Sequence, residues 1–303
     1  MEPTGYGHKI LVGLDGSAGS TLALGWAIRE APLRSATVEA LFVSQTPTLA
    51  YSAPGFIPLS ETEMEDQGRR ALETVLSSLP EVGDVKVYLR VNEGNPAELL
   101  ARATHDHEAV MLVVGTRGHG GVAGLLLGSV SHSLTHTSCK PLVIVPKNWS
   151  PTPGPDVEPR IVVGVDGSRS ADDALRWAAE EAVVRGCPLK VVMVWPSPVL
   201  PAYHPYGVQP EEPARYSRAR DALERAVSRV DTGAARLELS VVEGSAARTL
   251  VRVADRTEML VVGTRGFGRA HEAVSGSVSH ACSHRATVPI AVVPHTKVPA
   301  YRT

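Results

Sequence analysis

Cysteine is nearly absent from this chain: three, Cys139, Cys187 and Cys282, are spread through 303 residues. They make neither a disulfide framework nor a zinc site, and they read as small buried hydrophobes. No apolar run reaches the roughly 18 residues that a membrane-spanning helix needs. Met1–His8 lacks the apolar stretch of a secretory signal, so the cytoplasm is the expected compartment. Net charge is lacking too, since 30 Lys and Arg against 32 Asp and Glu leave −2. No global field therefore favours a nucleic acid or a membrane as partner. What is present is ordinary globular composition, 43% hydrophobic and 20% charged. At roughly 100–200 residues per domain, the length predicts two domains.

An internal repeat supports that division. Lys9–Ala31 laid over Arg160–Ala182 gives 12 identities in 23 positions at an offset of 151. Met111–His132 laid over Met259–His280 gives 14 in 22 at an offset of 148, including an unbroken MLVVGTRG. The order is the same, and loops absorb the three-residue difference cheaply. Between the copies, Asn148–Pro159 holds four prolines and no apolar period, which marks a linker. The expected organisation is domain one over 1–147, a linker over 148–159, domain two over 160–295 and a frayed tail over 296–303, with His295 already loose.

Within copy one, strands are expected at Ile10–Leu14, Ala36–Val43, Val85–Val91, Ala109–Val114 and Leu142–Val145. Helices are expected at Ala18–Ala31, Glu61–Leu79, Pro96–Thr104 and Ser129–Thr137. Copy two repeats the order. Its strands are Ile161–Val165, Leu189–Trp195, Leu237–Val242, Met259–Val262 and Ile290–Val293. Its helices are Arg169–Arg185, Pro213–Arg229, Ala246–Ala254 and Ser277–Arg285. Strands alternating with helices imply an α/β fold: a parallel sheet covered on both faces. Ligands of such sheets bind beyond strand carboxyl ends at a topological switch point.

Two motifs fall at strand carboxyl ends. The fourth strand of copy one runs into Gly115, Thr116, Arg117, Gly118, His119, Gly120 and Gly121, and Gly128, Ser129, Val130 and Ser131 then open a helix. Copy two gives Gly263, Thr264, Arg265, Gly266, Phe267, Gly268 and Arg269, then Gly276, Ser277, Val278 and Ser279. The shared pattern is G-x2-G, nine residues, then G-S. Polyphosphate needs several N–H donors converging without side chains in the way, and glycine permits that approach. A helix N-terminus adds unpaired N–H groups and partial positive charge. Ser129 and Ser277 stand where a hydroxyl donates to phosphate or caps the helix. Arg117 and Arg265 either add charge or stay solvated. No lysine is present, so this is not a Walker A loop, and no G-x-G-x-x-G follows the first strand.

The second motif is the aspartate turn. Asp15 and Asp166 end the first strand, where a carboxylate either contacts the ribose or base of a nucleotide or caps the next helix, with Ser17 and Ser168 competing for the cap. Gly13 and Gly164 admit an adenosine close to the backbone, and Val43 and Val194 make a second wall for an adenine ring. His105-Asp106-His107 looks like a small metal cluster but reads as a solvated helix end. His132 and His280 match between the copies and read as packing or capping residues. The loops Gln45–Ser60 and Pro196–Glu212 read as variable loops rather than lids. No Ser/His/Asp order marks a hydrolase.

V-G-x-D-G-S, V-V-G-T-R-G, G-S-V-S-H and the endings Pro141–Pro146 and Pro289–Pro294, taken together, resemble the universal stress protein family. The resemblance covers nearly all of both halves. It implies two tandem Rossmann-like domains, each a five-stranded parallel sheet with helices on both faces. It also implies ATP in the glycine loop with the early aspartate near the adenosine. A final strand would pair domains within the chain or in a homodimer. Tandem members are typical of actinobacteria, and the excess of arginine over lysine suits a high-GC genome. The function expected is an ATP-binding, nucleotide-responsive regulator in stress or dormancy adaptation, with a protein partner reading its state. The alternatives are a slow ATPase or nucleotidyl-transfer enzyme at the same sites, and a nucleotide-free structural dimer module. No base stands out for catalysis, and the pattern leaves open whether Mg²⁺ accompanies ATP. Copy one has Ala123-Gly124-Leu125-Leu126-Leu127 under its loop where copy two has His271-Glu272-Ala273-Val274-Ser275. The expectation is weaker ATP binding at copy two, since Glu272 brings negative charge near the phosphates.

Overall fold

The structure is a computed structural model. It describes residues 8–44, 60–79, 83–106, 108–116, 118, 127–150, 158–196, 212–264 and 277–295. The chain divides into two units, Met1–Pro155 and Asp156–Thr303.

In the first unit the strands are β1 (Lys9–Leu14), β2 (Thr37–Ser44), β3 (Val87–Glu93), β4 (Ala109–Gly115) and β5 (Leu142–Val145). The helices are α1 (Ala18–Glu30), α2 (Glu61–Ser78), α3 (Pro96–Ala103) and α4 (Ser129–Thr137). The strands lie side by side as β3-β2-β1-β4-β5, all parallel. Helices α1 and α2 cover one face, and α3 and α4 pack together on the other. Burial on both faces explains why β1, β4 and β5 read as continuous apolar runs. β3 alternates exposed and half-buried residues because it is an edge.

The second unit repeats this with β6 (Glu158–Val165), β7 (Leu189–Trp195), β8 (Leu237–Glu243), β9 (Thr257–Gly263) and β10 (Ile290–Val293). Its helices are α5 (Arg169–Arg185), α6 (Glu212–Ser228), α7 (Ala246–Ala254) and α8 (Ser277–Arg285). The order is β10-β9-β6-β7-β8, again parallel. The expected five-stranded parallel sheet is thus present in each unit. In both, the chain reverses its direction across the sheet between the first and fourth strands, β1 and β4 or β6 and β9. That is the switch point, where the crevice opens at the strand carboxyl ends.

Most elements fall within two residues of the positions that apolar periodicity predicts. Two differences have clear causes. β6 starts at Glu158, so Glu158 and Pro159 are strand rather than linker; the Glu158 N–H bonds to the carbonyl of Arg256 at 2.7 Å and extends the ladder. The first helix also ends differently in the two units. α5 stops at Gly186 in the left-handed conformation, φ 64°. α1 instead runs into a 3₁₀ turn at Ala31–Arg34, where Pro32 sits, and stops at Ser35, φ 49°.

Cys187 and Cys282 are buried as expected, and burial pushes both thiols upward, Cys282 to about 12. Cys139 is exposed, contrary to expectation, and its Sγ donates to the carbonyl of Thr104 at 2.9 Å. The expected loose His295 is tied down by Asp173, with Nδ1 2.7 Å from Oδ2. Among the described residues no helix is long and apolar enough to cross a membrane.

Candidate nucleotide site

The aspartate turn has the same build in both units. Gly16 and Gly167 take φ of 81° and 86°, which glycine adopts without steric cost. The Asp15 Oδ1 accepts from the Ser17 N–H at 2.9 Å, and Asp166 Oδ1 from the Ser168 N–H at 3.0 Å. The serines cap the helices: Ser17 Oγ accepts from the Ser20 N–H and Ser168 Oγ from the Ala171 N–H, each at 3.2 Å. The competition for the cap therefore goes to serine. Each aspartate holds its own turn with one oxygen and stays exposed at the mouth of the crevice.

In the first unit the other oxygen, Asp15 Oδ2, meets the glycine loop at Gly118. A Cβ placed on Gly118 would collide with Asp15 Oδ2, so a larger residue there would make that carboxylate turn aside. The two motifs, a hundred residues apart in sequence, are brought into contact at the switch point between β1 and β4. A second close approach lies behind them. A Cβ on Gly115 would run into the backbone carbonyl of Gly19 in α1. In the second unit a Cβ on Gly263 would lie 2.5 Å from Ser170 Oγ and 2.6 Å from its carbonyl oxygen. Gly19 and Ser170 occupy the same place in the repeat, and sequence reasoning missed both. A small residue in each copy facing the glycine loop's first position was the available signal.

The ends of the first loop are stitched together. The Gly128 N–H donates to the Thr116 carbonyl at 2.7 Å, and the Thr116 N–H to Val145 at 3.2 Å. Thr264 repeats the latter bond to Val293 at 3.1 Å. Ser131 is buried, and its hydroxyl reaches the carbonyls of Gly128 at 3.1 Å and Thr116 at 3.3 Å. It closes the loop rather than facing a ligand, and Ser279 is equally buried. Gly128 is the N-cap of α4, with no side-chain cap. Ser129 is therefore the first helical residue and not a cap, and its exposed hydroxyl stands beside first-turn N–H groups that lack intrahelical partners. By contrast α1, α2 and α3 are capped by Ser17, Ser60 and Asn95. Among the described α-helices of the first unit, α4 is the one whose start has no side-chain cap, and it lies at the switch-point crevice.

The remaining expected residues divide three ways. Gly13 and Gly164 have a packing role: a Cβ would lie 3.1 Å from Leu100 Cδ1 in α3, or 2.6 Å from Leu250 Cδ1 in α7. They let a helix settle onto the sheet, which is the structural reason for glycine there. Val43 and Val194, at the ends of β2 and β7, are half-buried, as are Val130 and Val278. Arg117, His119, Gly120, Gly121, Arg265, Gly266, Phe267, Gly268, Arg269 and Gly276 lie outside the described residues, as does His107. So do residues 123–126 and 271–275, the segments expected to distinguish the copies; Leu127 is described and buried.

Asp106, in the stretch that reads as a solvated helix end, pairs with Lys9 at 2.9 Å. The hydrogen bond from Lys9 holds the Asp106 carboxyl below its ordinary value. Burial pulls Lys9 down, but its bonds to Asp106 and Glu39 outweigh that and raise it. This is a structural ion pair at the end of the sheet opposite the crevice. Among the described residues, no three His, Cys, Asp or Glu converge as metal ligands.

Comparison with known proteins identifies the family of the two repeats. The model of the universal stress protein family matches residues 7–146 and again 159–294. A universal stress protein of Mycolicibacterium smegmatis is 31% identical over 297 residues, covering 97% of this chain and 98% of that one. One from Mycobacterium tuberculosis H37Rv is 29% identical over 290 residues, covering 94% and 96%. The crystal structure of a universal stress protein from Archaeoglobus fulgidus has the same fold, with a TM-score of 0.65, 19% identity and 95% and 97% coverage.

Proposed function

The chain belongs to the universal stress protein family, and from that premise we propose that it binds ATP at the switch point of each unit and acts as a nucleotide-responsive regulator in stress adaptation. The observation that carries the reading is the contact of Asp15 with Gly118 beside the uncapped start of α4. It joins an exposed carboxylate, suited to ribose hydroxyls or a base amine, to a loop glycine and a helix N-terminus, suited to phosphate. Asp15 and Asp166 would hold the nucleoside end. The backbone around Gly118, with the N–H groups and hydroxyl of Ser129, would hold the phosphates. Ser131 would keep the loop closed. ATP supplies the differential affinity by which one conformation or association state is favoured over another.

Calorimetric titration of the full chain with ATP tests this. Two classes of site are expected, the tighter in the first unit. Gly118→Ala puts a Cβ against Asp15 Oδ2 and displaces that carboxylate, and should weaken the tighter class while leaving the weaker unchanged. A tighter class whose affinity is unchanged by Gly118→Ala would contradict the assignment. Phosphate release over hours measures turnover in the same samples. A rate above about one per second, ordinary for enzymes, would replace the regulator by an ATPase.

A further inference from the structure

Each unit carries two histidines one helical turn apart in the helix that follows its glycine loop: His132 and His136 in α4, His280 and His284 in α8. They occupy matching places in the repeat. The three residues between them all differ, Ser133-Leu134-Thr135 against Ala281-Cys282-Ser283, while both histidines recur. Spacing of i, i+4 puts the two imidazoles on one face of a helix. In α8 the rings have closed on each other, with centroids 4.3 Å apart and Nε2 to Nε2 3.0 Å. In α4 the rings meet edge to face at 5.5 Å.

We propose that His280 and His284 form a binding site for a borderline divalent transition metal such as Zn²⁺, held by the two Nε2 atoms. Zinc takes imidazole nitrogen at about 2.0–2.1 Å, so two tetrahedral ligands stand about 3.3–3.4 Å apart. The pair needs to open by only a few tenths of an ångström to admit the ion. Ligation takes both imidazoles as the Nδ1–H tautomer, with each Nε2 lone pair turned to the metal. Both side chains are half-buried, so the ion is reachable from solvent and partly shielded from it. Cys282 contributes no ligand. It is fully buried, and its Sγ is directed to the carbonyl of Ala247, 3.8 Å away. Among the described residues no third protein ligand converges on the pair, and water fills the coordination positions that the protein leaves open. The nitrogen donors favour Zn²⁺, Cu²⁺ or Ni²⁺ and not the oxygen-seeking Mg²⁺. The site does not depend on the nucleotide reading.

Zn²⁺ titration of the full chain by calorimetry, without nucleotide, tests the proposal. His284→Gln keeps side-chain bulk and removes the ligand; it should weaken the tightest Zn²⁺ site by at least about tenfold, the scale seen when a metal site loses support. His136→Gln should leave that site unchanged. The unmodified chain gives a second readout: Zn²⁺ should shift the Cε1–H NMR signals of His280 and His284 first. Unchanged binding in His284→Gln, equal loss in His136→Gln, or no shift of these two signals up to millimolar Zn²⁺ would each overturn the proposal.

Discussion

Arg229 donates to the carbonyl of Gly167 at 3.0 Å and to both oxygens of Asp172, at 2.7 and 3.2 Å. Beside it Asp173 holds His295 at 2.7 Å and Arg176 at 2.9 Å. The second aspartate turn is thus braced by an exposed cluster of charge. In the first unit the places of Asp172 and Asp173 are taken by Thr21 and Leu22, and that of His295 by Lys147. Thr21 merely returns its hydroxyl to the Ser17 carbonyl at 3.0 Å. The backbone of the two turns is the same, to within a few degrees at the glycine. A motif copied residue for residue therefore need not make an equal site, because the side chains that surround it come from elements outside the motif.

The largest effects that probe this comparison are steric. Gly115→Ala forces a Cβ into the Gly19 backbone, and Gly263→Ala forces one against Ser170. Overpacking of this kind costs about 1–3 kcal/mol. The first unit should lose more, since its obstacle is closer and is rigid backbone alone. Urea unfolding of the two variants measures the difference; a larger loss for Gly263→Ala would reverse the comparison. Electrostatic bracing comes next. Arg229→Gln frees the Gly167 carbonyl and Asp172, and an exposed pair of this kind is worth about 0.2–1 kcal/mol. ATP affinity should change at the weaker class of site and stay constant at the tighter one. Equal changes at both would mean that the brace is not local.

The smallest effect is on acid stability. The bond from Lys9 lowers the Asp106 carboxyl in the folded state. A lowered carboxylate contributes stability above its ordinary titration range and loses it as pH falls through the lowered value. Asp106→Asn should therefore reduce the urea midpoint at neutral pH by a small amount and leave it nearly unchanged in strong acid. In the second unit Arg160 reaches Glu158 at 3.1 Å and Glu238 at 3.2 Å instead. A variant at Asp106 that shifts the unfolding of the second unit would contradict the assignment of this pair to the first.

Much of the fold was legible because buried parallel strands write themselves as apolar runs. Leu142–Val145 and Ile290–Val293 are buried throughout and stand at the expected residues. The glycine loop and aspartate turn were legible as motifs, and their contact between Asp15 and Gly118 was not. That contact depends on which strands become neighbours, and β1 and β4 are joined by long-range pairing that no local pattern encodes. Ser131 reads as a ligand residue beside Ser129, yet the two helical steps between their positions turn it by about 200° and point its hydroxyl inward onto Thr116. Gly13 and Gly164 read as room for adenosine, and the room is filled by Leu100 and Leu250. Arg229 was invisible among the many exposed arginines of the chain, since its partner Asp172 lies 57 residues earlier.

The most direct measurement is the nucleotide carried by the full chain purified without added ATP, extracted and separated by anion-exchange chromatography. Adenine nucleotide is expected at up to two equivalents per chain, with less in a Gly118→Ala preparation. A wild-type chain that carries none, and takes up none when ATP is added, would contradict it.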